Sequence, residues 1–243
     1  MIHPSSSSKP LWAIIFVLLL SSSGFAQGVT DDDESGYLIK KGRFYSALTF
    51  SLSQRNAENE DQLLRQVINQ DRYTFRVVGN GGYALKDNFT LGLLVGFGES
   101  REEITFLDEN ENEITSKRLQ RGVTIAPTMR NYIPIGEGQF QIVVQTQLGI
   151  TSGESLQRVF NENDINKTEG NFIDLELGVS PGLIVFFDRH WAFETTVGVA
   201  GFSTRTEEEV TNGDQENRQR IVTSNIDLRI NLLQLNLGVA YYF

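Results

Sequence analysis

The chain has 243 residues, 40% of them hydrophobic and 21% charged, with 22 Gly, 5 Pro and no Cys. This composition supplies enough apolar material for a real core and excludes disordered and collagen-like chains; the lack of Cys excludes disulfides, thiolate metal sites, a cysteine nucleophile and a lipoprotein anchor. A net charge of −10 excludes the clustered positive surface that phosphate backbones require, so no nucleic-acid partner is expected.

Residues 1–26 are predicted to be a signal peptide. Lys9 precedes the apolar run Leu11 to Leu20, and the small residues Gly24 and Ala26 sit where signal peptidase reads a chain. The run is about half the ~20 residues that a spanning helix needs. Residues 27–41, with the acidic tract Asp31 to Glu34, are expected to form a short N-terminal periplasmic segment.

From there the apolar residues alternate with period two, and eight strands are predicted at about 42–54, 72–85, 89–102, 118–133, 139–152, 171–187, 191–205 and 219–243. In the fifth, Phe140, Ile142, Val144, Leu148 and Ile150 share one face while Gln139, Gln141, Gln145, Gln147 and Gly149 share the other. The sixth opposes Ile173, Leu175, Leu177 and Val179 to Asp174, Glu176, Gly178 and Ser180. The polar faces carry Gln, Gly, Ser and isolated charges, with few of the long Lys and Glu side chains that coat a solvated sheet. A narrow lumen fits that composition, with the apolar faces turned outward to lipid.

Most of these strands reach the ~9–11 residues that cross a bilayer at a tilt. Three connections are short, at 86–88, 134–138 and 188–190, and four are long and polar, at 55–71, 103–117, 153–170 and 206–218. The two kinds alternate strictly, as they do where tight turns close one end of a barrel and longer loops the other. The expected fold is all-β, an eight-stranded antiparallel up-and-down transmembrane β-barrel over residues 42–243. Within the last loop, Asn212-Gly213 suits a two-residue hairpin, so strands can continue beyond the bilayer. In the last strand the apolar phase switches parity at Leu232-Leu233, where a bulge is expected.

Parity places Arg76, Arg130, Asp174, Glu176 and Glu194 in the lumen, where an unpaired charge is costly. Two ion clusters are expected, Arg130 with Glu194 low in the barrel and Arg76, Asp174 and Glu176 higher. Aromatic rings crowd the short turns; Tyr83, Phe89, Phe140, Phe187, Trp191, Phe193 and Tyr241 are expected at the membrane interface, and Tyr132 and Phe186 inside. No catalytic residue, metal site or cofactor is expected. His190 has no nucleophile or base suggested beside it. The tract beginning at Asp108 starts like a calcium loop, but its sixth position is Glu113 and its twelfth Leu119 where Gly and Glu are needed.

The chain resembles the outer-membrane protein β-barrel domain family, the small porin-like barrels of Gram-negative bacteria. The resemblance is carried by Gly82-Tyr83-Ala84-Leu85-Lys86-Asp87-Asn88-Phe89-Thr90-Leu91-Gly92, by Pro127-Thr128-Met129-Arg130-Asn131-Tyr132-Ile133-Pro134, and by Gly178-Val179-Ser180-Pro181-Gly182 before Asp188-Arg189-His190-Trp191-Ala192. The end of the chain, with Tyr241 and Phe243, is similar to the signal that the barrel-assembly machinery reads. The resemblance implies residence in the outer membrane, contact with its lipid and handling by that machinery during insertion. A monomer is expected, with a largely filled lumen and four external loops that act structurally or on an unknown extracellular partner. The alternative is a narrow channel or lateral transporter for small or apolar solutes.

Overall fold

The computed structural model describes residues 37–62, 65–107, 112–161, 164–214, 216, 218–228 and 236–243. The expected signal peptide, most of the 27–41 segment, the first residues of the Asp108 tract and the Leu232-Leu233 switch lie outside the described residues.

Ten strands follow in chain order among the described residues: β1 (Phe44–Gln62), β2 (Arg65–Lys86), β3 (Phe89–Leu107), β4 (Glu113–Ile135), β5 (Phe140–Asn161), β6 (Asp164–Phe186), β7 (Trp191–Thr196), β8 (Ala200–Thr211), β9 (Gln219–Leu228) and β10 (Asn236–Tyr242). All pairings are antiparallel. Sequence neighbours pair from β1 through β7, β7 pairs with β10, and β10 pairs with β1 from Tyr45↔Tyr242 to Phe50↔Leu237. Eight strands thus close into a ring, which leaves no free edge at that level. Above it, β8 continues along β6 and β9 pairs with β8.

The strands are longer than the sequence pattern predicts, and the expected polar loops are mostly strand. β3 and β4 stay paired to Leu107↔Glu113, and β5 and β6 to Asn161↔Asp164. Their polar composition reflects two-sided contact with water rather than irregular backbone, since hydroxyl and ionic pairs hold the ladders there. Thr105 and Thr115 share a hydrogen bond at 3.1 Å, and Lys117 meets Glu103 at 2.9 Å. The last ribbon turns at Asn212 and Gly213, both with positive φ (52° and 74°), which Asn tolerates and Gly adopts freely.

The expected seventh strand is two. Gly182 pairs with Thr196 and Val179 with Ala200, so three residues, Val197 to Val199, oppose Ser180 and Pro181. This is a β-bulge beside a residue with no N–H, bridged by Val197 N donating to Pro181 O at 3.0 Å and Val199 N to Val179 O at 3.1 Å. The bulge inverts the parity of the strand. Ala192 and Glu194 are buried before it, whereas Arg205 and Glu207 turn inward after it.

Leu48, Leu93, Ile125, Ile142, Leu148, Leu175, Phe193 and Leu237 are all exposed on the outer face. A continuous exposed apolar belt around a closed sheet is a lipid-facing surface. Its upper limit follows one register row: Phe97, Val123, Ser152 and Ile173 are partners across β3 to β6, and the next row up is Glu99, Arg121, Glu154 and Asn171. Charge begins where the belt ends.

Candidate functional site: a sealed lumen with a cavity above the seal

The lower lumen is filled in two layers. Tyr45, Tyr132, Phe186 and Tyr242 form an aromatic floor, with Phe186 and Tyr242 centroids 5.0 Å apart and Tyr45 stacked on Tyr242 at 5.8 Å. Tyr45 fits because Gly82 and Gly92 face each other across β2 and β3. A Cβ on Gly82 would lie 2.6 Å from the Tyr45 ring. Beneath the floor, residues 37–43 run across all three short turns as a strap. Ile39 is buried in the core cluster and its carbonyl accepts from Asn88 N at 2.7 Å; Lys41 N donates to Asp87 Oδ1 at 2.8 Å; and the buried Gln141 amide donates to Tyr37 O at 2.7 Å. Arg43 donates to the carbonyls of Leu38 and Arg189 and lies over the Phe186 and Tyr242 rings. Burial draws the Arg43 guanidinium below its ordinary pKa, with Tyr242 and Tyr241 opposing; a guanidinium stays charged regardless. The sequence pattern carries no period in this segment, and the strap was not expected.

Above the floor sits a polar layer. Arg130 Nη1 meets both Glu194 oxygens at 3.1 Å, each side chain 3% exposed, and Arg130 Nε donates to Gln145 Oε1 at 2.8 Å. The Arg130 guanidinium lies 4.6 Å from the Tyr45 ring centroid. Tyr242 Oη donates to Glu194 Oε1 at 2.8 Å, Tyr45 Oη to Asn80 Oδ1 at 3.1 Å, and Asn80 Nδ2 to Gln145 Oε1 at 3.1 Å. Both Glu194 oxygens and the Arg130 Nε and Nη1 groups are matched, the condition under which a buried pair is tolerated.

The upper charges are arranged differently from the expected cluster. Asp174 pairs with Arg205 at 3.3 Å, and the Arg205 guanidinium lies 4.1 Å from the Phe172 centroid. Arg72 pairs with Glu102 at 2.5 Å, and Arg118 approaches Glu207 at 3.6 Å while Ser155 donates to that carboxylate at 2.5 Å. Arg76 and Glu176 have no hydrogen-bonding or ionic partner among the described residues. Arg205 and Glu207 escaped the sequence reading because the Val197–Val199 bulge reverses their parity. The available signal was the apolar phase, odd at Trp191 and Phe193 and even at Phe202. Between the Arg130–Glu194 layer and these upper pairs lies a cavity of about 610 Å³, lined by Ser51, Arg76, Gln120, Gln147, Glu176 and Ser180 among others.

Tyr83, Phe140, Phe187, Trp191 and Phe193 are exposed on the outer face near the short turns, and Phe89 and Tyr241 are half-buried. Tyr132 and Phe186 are buried inside. Tyr241 makes edge contacts with Trp191 at 4.9 Å and Phe243 at 4.8 Å, and His190 stacks on it at 5.6 Å.

No protein-family model and no curated protein matches the chain. Among solved structures it is similar to the outer membrane protein OprG from Pseudomonas aeruginosa, at 12% identity over 84% of this chain and 97% of that one, with a TM-score of 0.41. A major outer membrane protein from Thermus thermophilus is similar at 13% identity over 83% of this chain and 99% of that one, with a TM-score of 0.39. Ail, the attachment invasion locus protein of Yersinia pestis, is similar at 12% identity over 84% of this chain and 99% of that one, with a TM-score of 0.35.

Proposed function

We propose that the chain is a monomeric integral protein of the bacterial outer membrane that works through its external ribbons rather than through its lumen. The observation that carries this reading is the seal. Arg130, Glu194 and Tyr242 close the lower lumen above an aromatic floor, and residues 37–43 close the floor from beneath. The strands meanwhile continue past the apolar belt as paired ribbons. Four such ribbons make a firm polar surface for an extracellular partner or for structural protection of the envelope. In this reading the belt contacts outer-membrane lipid, Tyr241 and Phe243 engage the barrel-assembly machinery during insertion, and the chain performs no catalysis.

A second reading, passage of small solutes, is favoured by the cavity above the seal. It requires the Arg130–Glu194 layer to open, and the polar lining speaks for hydrophilic rather than apolar cargo. Planar-bilayer recording of the purified protein separates the two. The sealed-barrel reading expects a flat baseline with only rare transient openings, and a steady conductance in every reconstituted molecule overturns it.

A further inference from the structure

Four of the five arginines that line the lumen cavity are committed to a carboxylate: Arg72 to Glu102, Arg118 to Glu207, Arg130 to Glu194 and Arg205 to Asp174. One cation and one anion on the cavity wall remain unmatched among the described residues, Arg76 and Glu176. Topology sets them face to face. Around the ring, β2 and β6 are four strands apart in either direction and so occupy opposite walls. Arg76 stands ten residues above the lower end of β2 at Lys86, and Glu176 ten residues above the lower end of β6 at Phe186, which gives them equal height. Glycines leave space around both: a Cβ on Gly96 would lie 3.7 Å from Arg76 Nε, and one on Gly178 would lie 3.2 Å from Glu176 Oε1.

Opposite charges held on facing walls, each short of a partner, polarise the space between them. A solute with a single charge satisfies one wall and leaves the other unmatched; a solute with a cationic and an anionic end satisfies both. The neutral remainder of the lining, Ser51, Gln120, Gln147 and Ser180 included, offers hydroxyl and amide groups to the body of such a solute. Above, Arg72 and Arg118 are partly exposed, so the cavity is reached from the ribbon side, while the Arg130–Glu194 layer closes it below.

From this geometry we infer that the cavity is a binding site for a small zwitterion, its anionic group held by Arg76 and its cationic group by Glu176. The site captures solute from the ribbon side and does not depend on what the ribbons bind or on whether the barrel conducts.

The test is calorimetric titration of the detergent-extracted protein with glycine, β-alanine, 4-aminobutyrate and 6-aminohexanoate, against butyrate and butylammonium as single-charge controls. At least one zwitterion is expected to bind saturably and at least tenfold more tightly than either control. Binding should weaken at least tenfold in both Arg76→Gln and Glu176→Gln, and return in the doubly reversed Arg76→Glu/Glu176→Arg barrel. Heat-modifiable migration in detergent gels shows that each variant is folded. The inference is overturned if all four zwitterions bind no better than the controls, if the two Gln variants bind as the parent does, or if the reversed barrel folds without binding. Because the readout is equilibrium binding, its failure leaves the conductance result untouched.

Discussion

Arg130 is satisfied on three sides, by Glu194, by Gln145 and by the face of Tyr45, and Glu194 is held in turn by Tyr242. Removing one member strands a buried charge, whereas removing both leaves a neutral hole that methyl groups can occupy. Arg130→Met or Glu194→Leu alone is therefore expected to cost about 3–5 kcal/mol, and the double variant markedly less than the sum. Urea unfolding of the refolded barrel in micelles, as a double-mutant cycle, measures this; strictly additive single effects would mean the two side chains do not act as a pair. Parity in the sequence is enough to turn both residues toward the lumen. It does not say what each one meets: Gln145 lies opposite Arg130 on the neighbouring β5 and Tyr242 reaches Glu194 from the neighbouring β10, but Arg130 meets Glu194 of β7 and Tyr45 of β1 only once the ring has closed.

At the scale of elements, the Val197–Val199 bulge governs what the upper lumen contains. Three residues there oppose two on β6, and the extra one offsets the parity of β8: deleting Gly198 leaves two against two with Ala200 still opposite Val179, so Phe202 stays outward and Arg205 and Glu207 stay in the lumen. Retention of the heat-modifiable folded band on detergent gels is the expected outcome; loss of that band would show that the bulge itself, and not only the parity it carries, holds the upper lumen together. The strands themselves were legible because alternation reports two unlike environments, lipid outside and polar lumen inside. Alternation fades where both faces meet water, which is why 103–117 and 153–170 read as loops although they are ladder. The strap was illegible for another reason: Tyr37, Ile39 and Arg43 are fixed by distant turns and not by any local period. Its hold rests chiefly on Ile39, so Ile39→Ala should loosen it by about 2–5 kcal/mol. Where trypsin samples the opened segment at equilibrium, cleavage after Lys40 or Lys41 should then accelerate on the order of 30-fold or more. Equal cleavage rates in parent and variant would place the strap's hold elsewhere.

At the scale of the whole molecule, two chemistries are stacked in one barrel wall. Below the row of Glu99, Arg121, Glu154 and Asn171 the outer face is apolar and the inner face is polar above its aromatic floor; above the row charged and hydroxyl side chains mix with isolated apolar ones such as Tyr73 and Ile165, and ions and hydroxyls hold the ladder. A soluble barrel with its apolar face inward would show the reverse, and the penalty for an outward charge discriminates between the two. Leu93 lies midway along the belt on β3 and is 52% exposed, while Ile173 lies on the belt's uppermost row and is 57% exposed. In water these two similarly exposed positions would tolerate arginine about equally. In a bilayer the cost of a guanidinium rises with depth, so Leu93→Arg should lower stability by about 2–4 kcal/mol and Ile173→Arg by about 0–1 kcal/mol, where the side chain can reach the charged row above. Guanidinium unfolding in phospholipid vesicles measures the difference, and an equal cost at the two positions would contradict the placement of the belt. The same depth scale links the lumen to the ribbons: most charges inside are held by pairing and those outside by height above the lipid, so the polar part of the outer surface lies above that row, while the cavity that can admit a small solute lies inside the barrel below it.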